Sequence, residues 1–131
     1  MLRVKTAVRP SSIHGLGLFA VEPIQAGTVT WLFDPDFDPT FSMEQVNLLP
    51  EIGKVKFWTW TYLDTALMRL VLPIDDLRYI NHSSSDFNIR STPSQDVAAR
   101  LILPDEELPC DYTHFETGYF ERRGFERASW K

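Results

Sequence analysis

Leu77-Arg-Tyr-Ile-Asn-His-Ser-Ser-Ser-Asp-Phe-Asn88 is the stretch on which the reading of this chain turns. Arg78, Tyr79, Asn81 and His82 place a cation, a phenol, an amide and an imidazole close together, and Ser83, Ser84 and Ser85 follow at once. Such a block is dense in hydrogen-bond donors and acceptors. Burying them without partners is costly, so the block belongs either on a solvated turn or around a polar ligand that satisfies it. These residues alone leave both open, because Ser-Ser-Ser-Asp is ordinary turn chemistry.

Two more segments bear on the choice: Ser12-Ile-His-Gly-Leu-Gly-Leu-Phe-Ala20 upstream, and Ala98-Ala-Arg-Leu-Ile-Leu-Pro-Asp-Glu-Glu-Leu-Pro-Cys-Asp-Tyr112 downstream. Gly15 and Gly17 permit backbone angles or a close ligand approach that side chains forbid. Their spacing also suits a plain hairpin turn, and the third glycine and following helix of a dinucleotide fingerprint are absent. In this order, the three segments resemble the SET-domain family of protein lysine methyltransferases. That family runs from a G-x-G turn and a Leu/Val-Phe-Ala strand, through an R-[FY]-[IL]-N-H-S block, to a P-G-E-E-L turn and a closing D-Y pair. The resemblance covers about residues 4–115.

The resemblance implies a mainly β fold with short helices, a β-clip of small twisted sheets whose C-terminal segment is threaded, pseudoknot-like, under a loop. Residues 1–115 form the catalytic domain, and residues 116–131 an aromatic and basic tail that packs on the domain or at an interface. The implied activity is methyl transfer from S-adenosylmethionine (SAM) to the ε-amine of a lysine in a protein. The runner-up is a SET-like binding module without catalysis. Matched residue by residue, Tyr112 aims its hydroxyl at the transferring methyl, and Tyr62 and Cys110 line the substrate channel. His14, Gly15, Leu16, Gly17, Arg78, Tyr79, Asn81 and His82 bind SAM. Cys110 is smaller than the Phe or Tyr common at its position, so the channel is expected to admit a methylated amine and give dimethyl- and trimethyllysine. Asp105 stands where the family has Gly. Ser83 to Asn88 carries one residue more than the family pattern and lacks its Cys and Pro. The zinc-binding segment of many eukaryotic members is missing, which makes the chain similar to minimal, free-standing members of viral or bacterial type with no inserted substrate-recognition region. A hydrolase built on His82 and one of the three serines lacks a nucleophile elbow.

Composition narrows the setting. At 131 residues the chain is one domain. One cysteine and three scattered histidines offer neither a disulfide framework nor a metal site. No apolar run is long enough for a membrane span, and residues 1–10 lack a secretory apolar stretch. The expected location is the cytoplasm, or a host nucleus for a viral or secreted effector. A net charge of −5 argues against direct nucleic-acid binding and for a partner bearing its lysine in a basic, exposed segment. A homodimer is compatible with all of this.

Alternation and breakers predict strands over 2–8, 18–21, 28–33, 68–74, 89–92 and 96–103, and a capping box at Ser42 predicts a helix over 43–49. Residues 54–62 carry Phe57, Trp58, Trp60 and Tyr62, and if the segment is extended Trp58, Trp60 and Tyr62 share one face. Asp34-Pro-Asp-Phe-Asp-Pro39 lacks the Gly and Glu of a calcium loop and is expected to be solvated.

Overall fold

The computed structural model describes residues 1–124; Phe125, Arg127 and Trp130 of the aromatic and basic tail lie outside the described residues. Short runs of alternating residues form three small antiparallel sheets. Strands β1 (Thr6–Pro10) and β2 (Leu16–Ala20) make a hairpin, with Thr6 opposite Ala20 and Pro10 opposite Leu16. Strands β3 (Val29–Leu32), β7 (Ile89–Ser91) and β8 (Gln95–Ala98) form a second sheet with β8 in the middle. Strands β4 (Thr40–Phe41), β5 (Tyr62–Asp64) and β6 (Arg69–Val71) form the third, centred on β6. The expectation of a mainly β fold with short helices holds.

Helix α1 (Met43–Asn47) starts on the capping box read from the sequence: Ser42 Oγ accepts from Gln45 N, and the Gln45 side chain accepts from Ser42 N. Residues 54–60 are not extended: Glu51–Trp60 form helix α2, whose start is set by Pro50 at a φ of −63°. Aromatics at 57, 58 and 60 fit a helix as well as a strand, and the tertiary contacts decide: Phe57 and Trp58 pack against Val46, Leu63 and Leu70. Only Tyr62 of the supposed stripe lies in a strand, 7% exposed in β5. Helices α1 and α2 thus connect β4 to β5. The aspartate-rich loop is solvated at residues 35–37 and 39, as expected, and the exception is Asp38, which is 1% exposed and accepts from Asp34 N and Ile74 N. Asp105 takes the left-handed φ of 68° that its glycine-like turn position demands.

Residues 109–110 lie between the two feet of the serine-rich loop. Cys110 bridges in parallel to both His82 and Ile89, with Cys110 N donating to Asn81 O (3.0 Å) and Ile89 N to Pro109 O (3.2 Å). Asp111 then caps a 3-10 turn over Tyr112–His114, and helix α3 (Tyr119–Arg123) follows, with Tyr119 and Phe120 buried beside Tyr112, Leu18 and Ile89.

A buried ion pair holds α3 down. Glu116 and Arg123 have side chains 0% and 1% exposed, with Arg123 Nη1 2.9 Å from Glu116 Oε1 and Nη2 3.1 Å from Oε2. Arg123 also donates to Trp58 O (3.0 Å) and Thr61 O (2.9 Å), its guanidinium carbon lies 3.6 Å from the Tyr119 ring centre, and Leu63 N donates to Glu116 (2.8 Å). Arg122 Nη1 reaches Glu116 Oε1 at 2.9 Å from the solvent side, so losing Arg123 leaves Glu116 one partly exposed partner, whereas losing Glu116 leaves Arg123 buried without its carboxylate. Glu116→Gln should therefore lower unfolding stability by about 3–5 kcal/mol, read from urea denaturation, and the double variant with Arg123→Met should lose less.

Candidate active site

The turn after β1 is built around an amide. Asn81 Nδ2 donates to His14 O (3.0 Å), Leu16 O (3.0 Å) and Glu107 Oε1 (2.8 Å), while Ser11 Oγ bonds both oxygens of Glu107 at 2.8 and 2.9 Å. Asn88 Nδ2 donates to Glu107 O (2.8 Å), so both asparagines of the polar block grip one glutamate. Gly17 makes room for it: a Cβ there would sit 2.2 Å from Glu107 Oε1. Gly15, at a φ of +49°, has open space where a Cβ would stand. The polar block thus fixes the shape of the 14–17 turn.

Two cavities meet beyond this turn. The larger, about 210 Å³, is lined by His14, Gly15, Leu16, Arg78, Tyr79 and Asn81 on one side. The narrower, about 60 Å³, is lined by Trp31, Tyr62, Leu77, Asp96, Cys110 and Phe115. Thr59, Trp60, Arg78, Ile80, Tyr112 and Tyr119 belong to both walls. Of the residues singled out in the sequence, those two cavities gather all but Gly17 and His82. Gly17 serves Glu107, and the His82 ring turns toward Tyr112, at 5.1 Å, and Phe120, at 4.8 Å.

Tyr112 stands on the shared wall. Its hydroxyl donates to Ile80 O at 2.5 Å, and its N–H donates to His82 Nδ1 at 3.1 Å, which leaves the imidazole proton on Nε2. Phe115 and Tyr119 pack on its ring at 5.5 and 4.8 Å. Burial pushes the Tyr112 phenol well above its ordinary pKa, so it is neutral at physiological pH. The same cause raises Tyr62, whose hydroxyl donates to Pro93 O, and Cys110. Burial alone would raise Asp111, but the Thr113 hydroxyl and N–H, with His82 and His114 nearby, hold it below the usual carboxylate value.

The larger cavity suits SAM in its donor set: a cation in Arg78 for a carboxylate, the open backbone at Gly15, and the edge-to-face pair of Trp60 and Tyr79, 5.7 Å apart, as an apolar surface for a base. Arg78 is braced by Ile74 O and Asp75 O and lies 5.7 Å from the Trp60 ring centre. Among the described residues no group of His, Cys, Asp and Glu could hold a metal ion, and no helix is long and apolar enough to cross a membrane.

Sequence reasoning missed Thr59, Trp60, Ile80 and Asp96 as cavity residues. Asp96 had a readable sign, since the period-two pattern of β8 puts it on the buried side with Ala98.

Comparison with solved structures gives the fold a family. A Plasmodium falciparum protein described as a candidate histone methyltransferase matches at a TM-score of 0.59 and 22% identity, over 88% of this chain and 98% of that one. Polycomb Repressive Complex 2 of Chaetomium thermophilum, autoinhibited and bound to S-adenosylmethionine, matches at 0.66 and 20%, over 91% of this chain and 16% of that one. The same complex with H3K27me3 and H3K27M matches at 0.62 and 21%, over 83% and 14%. This chain therefore spans nearly all of the first relative and only a small part of the other two. The fold is that of SET-domain methyltransferases. No protein-family model and no curated protein matches the sequence.

Asp96 carries a pH signature. Burial raises its pKa from 3.8 to about 7, against a small opposing pull from the Ser91 hydroxyl, which lies outside hydrogen-bond geometry. The folded protein then holds more protons than the unfolded chain between those values. Stability from this group falls as pH rises through that window, and the full cost, about 4 kcal/mol, is present above pH 7. Asp96→Asn should gain stability over wild type at pH 8 and much less at pH 4; thermal melts at the two pH values read the difference.

Proposed function

We propose that the protein transfers the methyl group of SAM to the ε-amine of a lysine in a protein substrate. The observation that carries this reading is the joining of a cavity lined by Arg78 and the 14–16 turn with a narrow aromatic one at a shared wall that holds the neutral Tyr112. A two-substrate transfer needs such an arrangement, because holding the partners in line supplies much of the catalysis.

When bound, the cofactor supplies a methyl carbon activated by a positive sulfonium. The chain's own residues do the rest. The 14–16 turn, Arg78 and Asn81 hold the cofactor, with Trp60 and Tyr79 beside its base. Tyr62, Cys110, Phe115 and Tyr119 exclude water from the lysine stem. Only a neutral amine can accept the methyl, and a free lysine with a pKa near 10.4 is charged at pH 7, at a cost of about 4 kcal/mol to neutralise. An apolar slot lowers that cost by disfavouring the ammonium. Tyr112, anchored through its hydroxyl to Ile80 O, keeps its oxygen in one place where the two cavities join. The small Cys110 leaves space for a methylated amine, which supports dimethyl- and trimethyllysine as products. The substrate lysine sits in a basic, exposed segment that complements the net charge of −5. Residues 109–110, between the feet of the 83–88 loop, support the threaded path of the family, and the reading places the protein in the cytoplasm or a host nucleus.

Calorimetric titration with SAM should give micromolar affinity, and Asn81→Ala should weaken it at least about tenfold by releasing the 14–16 turn. Tyr112→Phe should leave that affinity within a few fold while lowering turnover by about a hundredfold, since the lost hydroxyl acts in the transition state. Binding without transfer of labelled methyl to any lysine peptide assigns the protein as a binding module instead. No binding at millimolar cofactor overturns both readings.

A further inference from the structure

The register of the second sheet sets three polar side chains in a row. Asp96 is opposite Trp31 on one side and Ser91 on the other, so all three project from the same face. Trp31 Nε1 and Ser91 Oγ are buried without a hydrogen-bond partner. Asp96 is 5% exposed, its carboxyl has the Ser91 hydroxyl beside it but no ion-pair partner among the described residues, and it lines the narrow cavity that also contains Tyr62, Cys110 and Tyr112. It is the one carboxylate among the described residues lining either cavity. The cation on the shared wall, Arg78, is already engaged by the carbonyls of Ile74 and Asp75.

A buried carboxyl with no cation beside it is uncommon in folded proteins, and such perturbed acids cluster in functional clefts. The narrow cavity is otherwise walled mainly by rings and aliphatic chains, a place where an ammonium finds only one anion. We propose that Asp96 receives the ammonium of the incoming lysine and takes one of its protons, so that the channel itself makes the neutral amine. This rests on the methyltransferase reading. In the step, one N–H bond of the ammonium breaks and leaves its electron pair on nitrogen. The proton forms an O–H bond on an Asp96 carboxylate oxygen, turning an ion pair into a neutral amine and a neutral acid. Solvent recovers the proton after the product leaves.

The surroundings suit the step. Burial lifts Asp96 to about 7, so near neutral pH it is partly ionised and ready to accept, and the transfer comes into balance as the apolar slot lowers the ammonium's pKa toward that of the acid. The groups facing it are Tyr62 from β5, Cys110 and Tyr112 from the segment after the serine-rich loop, Tyr119 from α3 and Arg78 from the 3-10 turn at Asp76–Tyr79. Burial holds the three phenols and the thiol in their neutral forms at that pH. Asp64 and Asp38 act on Tyr62 and raise it further.

The test compares wild type with Asp96→Asn. In wild type, kcat/KM for a lysine peptide at saturating SAM should rise through about pH 7 and then level. In Asp96→Asn it should fall by about a hundredfold at pH 7.5 and keep rising toward pH 10, as the amine loses its proton in solution, with SAM affinity unchanged. A second arm uses n-butylammonium with no cofactor present: wild type should bind it, and Asp96→Asn should bind at least about tenfold more weakly. Equal butylammonium binding and an unchanged pH profile overturn the proposal. If wild type transfers no methyl, the methyltransferase reading fails, and the butylammonium arm alone decides whether Asp96 recognises the cation. If Asp96→Asn shows no cooperative melt, the carboxyl carbon resonance of Asp96 in wild type decides: a shift on adding butylammonium supports the proposal, and no shift overturns it.

Discussion

The pairing of Glu116 with Arg123 is the constraint from which the site takes its shape. Two opposite charges sit in the interior almost without water, and the attraction between them tolerates little displacement. Their remaining donors and acceptors reach Leu63, Trp58 and Thr61, so one charge pair pins the C-terminal helix to the end of α2 and the start of β5. Those are the elements that bring Trp60, Tyr62 and Tyr119 around Tyr112. Such a pair contributes little net stability over apolar residues of the same size. What it supplies here is position: the aromatic wall is held by charge geometry, whereas apolar contacts alone are non-directional.

A second tension runs through the molecule. The 14–17 turn is over-determined by hydrogen bonds, with Asn81 and Ser11 converging on the Glu107 carboxylate and Asn88 Nδ2 on the Glu107 carbonyl. The narrow cavity is the opposite, with Trp31 Nε1 and Ser91 Oγ left unpaired on either side of the Asp96 carboxyl. Polarity around the 14–17 turn is thus used inside the protein, and polarity in the narrow cavity is held open. Stability lost at a row of unpartnered groups is the familiar mark of a surface kept ready for a guest.

Much of this was legible in the sequence because the chemistry is concentrated. Arg78 to His82, the two glycines and the Asp111-Tyr112 pair are short, ordered and rare in combination, and the fold they imply is the one found. The capping box at Ser42 was readable for the same local reason. What was not legible depended on distant contacts. Phe57, Trp58 and Trp60 suit either period, and only packing on Val46 and Leu70 makes their segment a helix. Asp38 looked like a solvated loop residue because its partner, Ile74 N, is 36 positions away. Asp96 is a single acid in a short strand, and its meaning comes from what stands opposite it on two other strands.

The long reach of Glu107 also bears on how the chain is made. Ser11 and Glu107 are 96 residues apart, and β2 is completed on one edge by Leu108 N donating to Leu18 O at 2.8 Å. Closing so large a loop is entropically slow, and contacts this distant in sequence delay folding. On the ribosome, the first hairpin emerges early and must wait, its edge unpaired and Leu18 uncovered, until residues 105–110 follow. Nascent chains that stall before that point expose an apolar strand edge, the kind of surface that chaperones bind and that otherwise nucleates aggregation.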